Sequence, residues 1–420
     1  MKPREPTRAM EELGHDYNPF VGPERDDPYP TWARARHEAP VFFSEVEGVW
    51  VITRYADIRA ILQDTERFSS RDVTRPAPAP PEVEAVLRKG YAYEDMPALV
   101  GTDPPAHIRL RRVTNAGFTP ERVTAMEPHI RNIANELIDA FVHDGKADLL
   151  GQFAYLLPAT VVMELLGVPR EDRGVMKRWS DDRALVLWGK APLDQLLSAA
   201  HAFVEMQRYC AKLIEARRAD PRDDLISVLA TTRLDDHEPL STSELVGQVT
   251  ALISAGHETT TNLIAHAVLL LLRHPEAWAA VRADFSLIPA VIDEALRINS
   301  PVRGMLRTTT QDVEVAGVRI PAGAQLQLMY SAANHDETVF PDPDRFDIHR
   351  QQHAFHLAFG HGIHFCVGAA LARLEARITL ELFATRLPNL RLQPGHALHY
   401  VPNAVFYSPT DLPVLWDAAG

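Results

Sequence analysis

A chain of 420 residues, 46% hydrophobic and 24% charged, can bury a core large enough to enclose a bulky apolar cofactor. Its formal net charge of −13 argues against a nucleic-acid partner, because phosphate binding needs clustered cations. The two cysteines, Cys210 and Cys366, are too few for a disulfide framework, a four-thiolate zinc site or an iron–sulfur cluster, so a reduced, cytoplasmic setting is expected.

In chain order, residues 1–26 form a polar, proline-dotted segment without the apolar run of a secretory leader. One domain is expected over 27–420, since helical and strand signals interleave there and no linker divides them. Val49-Trp50-Val51-Ile52 reads as a strand. Pro76, Pro78, Pro80 and Pro81 mark a long loop, a kind of segment that is frequently functional. Asp103-Pro104-Pro105-Ala106-His107 opens a helix behind two prolines, and a further helix is expected from Pro120 to Val142. Helical spacing dominates Val161 to Ala219 and Ser241 to Arg273. Ser241 and Glu244 form a capping-box signature, and a helix unbroken from there to His274 would run about 50 Å. Its most apolar part, Leu263 to Leu272, is too short to span a bilayer, so no membrane association is expected. Another helix runs from Ser286 to Ser300, before Pro301. Alternation in Val313, Val315, Val318 and Ile320, with Ala316-Gly317 as a turn, then Leu326 and Leu328, indicates a small antiparallel patch. The expected fold class is mainly α with a minor antiparallel β region.

The segment that carries chemistry is Phe359-Gly360-His361-Gly362-Ile363-His364-Phe365-Cys366-Val367-Gly368. Glycines at 360, 362 and 368 permit close backbone approach and unusual dihedrals around Cys366. Strong helix formers follow, from Ala369 to Ala376. A cysteine at a helix start has its thiolate stabilised by the helix dipole and by free backbone N–H groups. Such a thiolate in an apolar pocket is a good axial ligand for haem iron. A lone cysteine in a turn is usually inert packing; the three glycines, the preceding aromatic and the following helix speak against that here.

This segment resembles the haem-binding loop of the cytochrome P450 superfamily, F-G-x-G-x-x-x-C-x-G, at every fixed position, with His364 where many members carry arginine or histidine. Three more motifs follow the superfamily's order. Glu294-Ala295-Leu296-Arg297 is similar to its E-x-x-R, a pair that alone would read as a routine helix-face contact. Ala255-Gly256-His257-Glu258-Thr259-Thr260 resembles A-G-x-[D/E]-T-T; a zincin reading fails because position 261 is threonine. His107 and Arg111 match H-x-x-x-R. The likeness covers roughly Asp27 to Trp416 and is greatest to soluble bacterial members.

The resemblance implies the cytochrome P450 fold and haem b (iron protoporphyrin IX), with Cys366 the iron ligand. His107, Arg111, Arg307 and His364 would hold the propionates, and Ala255, Gly256, Thr259, Phe359, Gly360 and Gly368 would lie against the cofactor. Gly256 and a Thr259 hydroxyl bonded back to the Ala255 carbonyl would open the long helix for dioxygen. Glu258 would relay protons and Thr259 deliver them. Glu294, Arg297 and Arg345 would form a buried structural network behind the cysteine loop. Pocket segments would be Pro97-Ala98-Leu99-Val100, Leu185-Val186-Leu187-Trp188, Leu252-Ile253, Val302 with Met305-Leu306, and Ala404-Val405-Phe406. They are apolar, with Arg303 the one cation near them, so a hydrophobic small-molecule substrate is expected.

The implied activity is insertion of one atom of O2 into that substrate. The sequence ends at Gly420 without a flavin or ferredoxin domain, so NAD(P)H-derived electrons are expected from a ferredoxin reductase through an external ferredoxin. Arg109, Arg112, Arg373 and Arg377 would form its basic docking patch. A peroxide-driven or radical-coupling oxidase of the same fold is the alternative, and a haem sensor or carrier a further one. The acid–alcohol pair favours O2 activation.

Overall fold

The computed structural model describes residues 7–73, 79–188, 191–234, 238–351 and 355–418. Pro76 and Pro78 of the proline loop lie outside them, as does the side chain of Trp188. The chain is 56% helical and sorts into two compact units that interleave along the sequence. One comprises residues 1–69, 127–157 and 259–420, the other 70–126 and 158–258.

The first unit holds the sheets. Its main sheet has five strands in the order Val41–Ser44, Val49–Ile52, Gln325–Leu328, Met305–Thr309, Phe68–Ser69. The strand expected at Val49 to Ile52 is present, and its burial on both faces suits a central position. It pairs antiparallel with its predecessor but parallel with Gln325–Leu328, Trp50 facing Leu326. Leu326 and Leu328 thus belong to this sheet, whereas Val313–Val315 and Val318–Ile320 form a separate hairpin. That hairpin turns at Ala316 and Gly317, both at positive φ, 49° and 82°. Val41, Ile52, Phe68, Leu326 and Leu328 pack with the inward valines of the hairpin into one apolar cluster.

The helix expected from Pro120 to Val142 is two helices, Pro120–Ala125 and Glu127–Asp139. Pro128 explains the break: its ring lacks an N–H and clashes with the preceding turn. The helix expected from Ser286 begins as a tight turn, Phe285–Leu287, capped by Asp284, and continues as Ile288–Ile298.

The second unit is helical. Its core gathers Leu110, Val113, Met163, Leu166, Phe203, Met206, Cys210 and Ile253. The long helix Thr242–Arg273 starts in this unit and ends in the other. Its capping box is formed: the Glu244 amide donates to Ser241 Oγ at 3.2 Å, and the Ser241 amide to Glu244 Oε2 at 2.8 Å. Among the described residues no helix is long and apolar enough to cross a membrane.

Candidate functional site

In the first unit, the loop before the helix Ala369–Arg386 folds on left-handed glycines. Gly360 and Gly362 have φ of +71° and +70°. At Gly362 a Cβ would also meet the Leu62 carbonyl oxygen at 2.7 Å, so a side chain is excluded twice over. The Cys366 amide donates to the Phe359 carbonyl at 2.9 Å and closes the loop. His364 lies in the tight turn Gly362–His364, and Gly368 caps the helix with an ordinary φ of −86°. Cys366 is exposed, beside Ile363 and Phe365, which are also exposed. A soft anionic donor at a helix start, flanked by uncovered apolar side chains, fits a flat apolar group that carries a metal.

Behind this loop lies a buried network. Arg297 Nε and Nη2 each donate to the Glu294 carboxylate at 2.8 Å. Arg297 Nη1 reaches the Asn334 carbonyl at 2.9 Å. The Asn334 side chain accepts from the Leu357 amide at 2.6 Å, two residues before Phe359. Helix and cysteine loop are therefore joined through Asn334, a residue that no motif marks. Burial alone would lift the Glu294 carboxyl, but the Arg297 hydrogen bond and charge outweigh it and hold it below the usual range. Arg345 does not complete this network with its side chain, which is 68% exposed. It contributes its backbone oxygen, and Arg350 Nε takes the expected place at 3.0 Å from Glu294. The polar turn around residue 345 directs that side chain to water, and only the segment's path brings Arg350 inward.

Arg307 is buried on the strand Met305–Thr309 and donates to the Leu306 carbonyl. Met305 and Leu306 are consecutive on this strand, so they point to opposite faces and cannot both line one pocket. Met305 packs against the sheet's apolar cluster. Val302 and Val405 are brought together: Val302 bridges to Phe406, and the Arg303 amide donates to the Val405 carbonyl at 2.7 Å. Arg303 itself is no pocket cation. It is fully buried, donates to the Glu24 and Arg25 carbonyls, and stacks on Tyr407.

The second unit places His107 on the helix Ala106–Asn115 with Arg111 one turn on. His107 is buried; burial first, then the Arg111 charge, pushes its pKa below the usual histidine range and favours the neutral ring. Leu99 and Leu252 pack half-buried on the unit's core, with Val100 half-buried in the turn Leu99–Gly101.

The middle of the long helix is unusual for a core helix, because Ala255 is exposed there. The segment stays α-helical throughout. Gly256 has another use: a Cβ would lie 2.8 Å from the Val162 side chain, so the glycine lets the helix Leu156–Leu166 approach. Glu258 is half-buried, and burial raises its carboxyl above the usual range against the opposing charge of His257. His257 has no role in the motif beyond the failed zincin spacing. It is buried, its Nδ1 donates to the Ile253 carbonyl at 3.0 Å, and its Nε2 faces Asp181 at 3.7 Å. Asp181 in turn accepts from Lys177 at 2.6 Å. Thr259 follows, half-buried, in the other unit.

Arginines expected to form a basic patch have carboxylate partners of their own. Arg109 pairs with Glu244, Arg373 with Asp293, and Arg377 with Glu127 and Glu381. Arg373 also lies over the Phe359 ring at 4.6 Å.

Comparison with known proteins places this geometry. The Cytochrome P450 family model matches residues 191–396. The cytochrome P450 monooxygenase PikC of Streptomyces venezuelae is 41% identical over 93% of this chain and 91% of its own. The vitamin D(3) 25-hydroxylase of Pseudonocardia autotrophica is 39% identical over 90% of each. An intact type IV self-sufficient cytochrome P450 monooxygenase superposes with a TM-score of 0.91 at 36% identity, over 96% of this chain and 53% of that longer one.

Proposed function

The chain belongs to the cytochrome P450 family of haem-iron monooxygenases, and on that premise we propose that it carries haem b on Cys366 and hydroxylates or epoxidises a lipophilic organic molecule. The observation that carries the reading is the exposed Cys366 on a glycine-shaped loop tied through Asn334 to the buried Glu294–Arg297 pair. When bound, the haem iron supplies the activation of dioxygen. Everything else falls to the chain's own groups. Cys366 is held at a helix start, where the anionic sulfur is favoured. His107, Arg111, Arg307 and His364 hold the propionates, with His107 as a neutral donor. Glu258, its pKa raised by burial, carries a proton and passes it to the Thr259 hydroxyl.

The substrate lies against apolar side chains, Leu99, Val100, Leu252, Val302, Val405 and one of Met305 and Leu306. Their burial stabilises an apolar ligand by about 25 cal/mol per Å². A relative named for oxidising vitamin D(3) supports that class. Electrons come from NAD(P)H through a ferredoxin reductase and a ferredoxin. Arg109, Arg373 and Arg377 are paired with carboxylates, so that docking rests less on net charge than a bare basic patch would.

The test is the spectrum of the reduced protein under carbon monoxide. Thiolate ligation gives its characteristic Soret position, and Cys366→Ser abolishes it. Cys210→Ser leaves it unchanged, since Cys210 is buried in the apolar core and its thiol is pushed up to about 12. An unaltered spectrum in Cys366→Ser overturns the assignment.

A further inference from the structure

The helix Arg173–Trp188 carries a cation that no motif singled out. Arg183 is 5% exposed, and its Nε has no hydrogen-bond partner. It forms no ion pair with any carboxylate among the described residues, and Tyr93 is the sole charge partner opposing the effect of its burial, which pulls its pKa down to about 10. Other buried arginines have carboxylate or carbonyl partners, although Arg303 Nε also lacks a hydrogen bond and Arg307 reaches only the Leu306 carbonyl among the described residues. Arg217 has Asp224 and the Gly167 carbonyl, Arg297 has Glu294, and Arg303 has two backbone oxygens. A buried guanidinium left without a counter-charge weakens a fold, so such a group points to a role outside folding.

Arg183 lines a cavity whose wall is apolar at Met96, Ala98, Leu187 and Phe203 and polar at Tyr93 and Thr250. Its guanidinium carbon stands 5.7 Å from the Phe203 ring centroid. The cavity measures about 20 Å³, room for little more than one water-sized group. It suits the head of a ligand and not its body. Ala98 and Leu187 come from two of the segments expected to line the substrate pocket. Thr250 lies on the long helix about 8 Å along the axis before the exposed Ala255.

We propose that Arg183 is a substrate anchor that takes the single carboxylate of an otherwise apolar substrate. The proposal rests on the reading of the chain as a monooxygenase of lipophilic molecules, and it narrows that class to monoanionic acids. One guanidinium balances one negative charge, and its planar fork matches a carboxylate with two parallel hydrogen bonds. The apolar wall leaves the rest of the ligand without polar partners. With the head held near Thr250, the oxidised carbon is remote from the carboxylate.

The experiment compares dodecanoic acid with methyl dodecanoate on the haem-loaded enzyme, at mildly alkaline pH where the acid is ionised. Binding is read by Soret shift and, independently, by calorimetry. The wild type is expected to bind the acid roughly tenfold or more tightly than the ester. Arg183→Gln binds the two alike, and Arg183→Lys keeps part of the preference. The melting temperature of Arg183→Gln is nearly unchanged or higher, because no hydrogen bond or ion pair is lost and only the Phe203 ring contact goes. Equal binding of acid and ester by the wild type overturns the anchor and leaves the lipophilic reading intact. Binding of neither probe overturns the lipophilic reading and the anchor with it. An acid preference that survives in Arg183→Gln also overturns the anchor. Should that variant not fold, the wild-type comparison and Arg183→Lys decide.

Discussion

Arg350 Nε lies 3.0 Å from Glu294 Oε1, on a carboxylate that Arg297 already holds with two bonds. Both arginines also donate to the backbone oxygen of Arg345, at 3.2 and 2.9 Å. The side chain that motif reasoning assigns to this network is thus replaced by one five residues later. Breaking a buried pair leaves an uncompensated charge, so Arg297→Ala is expected to cost about 3–5 kcal/mol. Arg350→Ala removes one charged hydrogen bond and should cost about 1.5–3 kcal/mol. Arg345→Ala, at an exposed side chain, should cost about 0–1 kcal/mol. Urea midpoints rank the three; a larger loss for Arg345→Ala than for Arg350→Ala would refute the assignment.

Gly256 sets two effects against each other. Alanine in a helix interior is worth about 1 kcal/mol over glycine. A Cβ at 2.8 Å from Val162 Cγ2 overpacks the contact, at about 1–3 kcal/mol. Packing is expected to win, so Gly256→Ala lowers the unfolding midpoint. Val162→Ala in the same chain should then recover stability relative to the two single changes added, which a double-mutant cycle measures.

Glu375 is 2% exposed on the helix Ala369–Arg386, and its Oε2 has no hydrogen-bond partner. Burial raises its carboxyl well above the usual range. In the unfolded chain the proton leaves first, so this residue's contribution is fully present below the ordinary carboxylate range. It is lost as pH rises from there toward the raised folded value. Glu375→Gln removes that loss. The stability of the variant relative to the wild type should therefore grow as pH rises from the ordinary carboxylate range toward the raised folded value. A difference that stays constant across that interval speaks against a protonated, buried Glu375.

Thr259 and Glu258 are expected to act on proton delivery and not on binding. Thr259→Ala should leave the bound-ligand spectrum intact while diverting reducing equivalents from product to peroxide. The loss of product per NAD(P)H should be large, since positioned acid–base groups contribute about 10²–10⁴-fold. Glu258→Gln should slow turnover in the same sense. Full product yield per NAD(P)H in Thr259→Ala would remove it from the pathway.

Much of the fold is legible because its signals are short in range. The Ser241–Glu244 capping box, the Ala316-Gly317 turn and the Val49–Ile52 strand each depend on a few neighbouring residues. The break at Met126 is legible too, once Pro128 is given its full weight against the apolar periodicity. The glycine loop around Cys366 follows from backbone geometry that only glycine adopts freely. In each case the cause lies within about one helical turn or one hairpin.

The partners of buried side chains were decided by tertiary structure alone. Nothing local separates Arg345 from Arg350, or Arg303 from Arg183; all four are arginines in apolar or turn-rich surroundings. Arg303 proved to be held by carbonyls some 280 residues away, at Glu24 and Arg25, while Arg183 was buried without a hydrogen bond of that kind. Gly256 owes its smallness to Val162, and His257 its company to Asp181, both far off in the chain. Backbone conformation is chosen by neighbours in sequence, and the sequence determined it here. Burial and charge pairing are chosen by neighbours in space, and those exist only after the chain has folded.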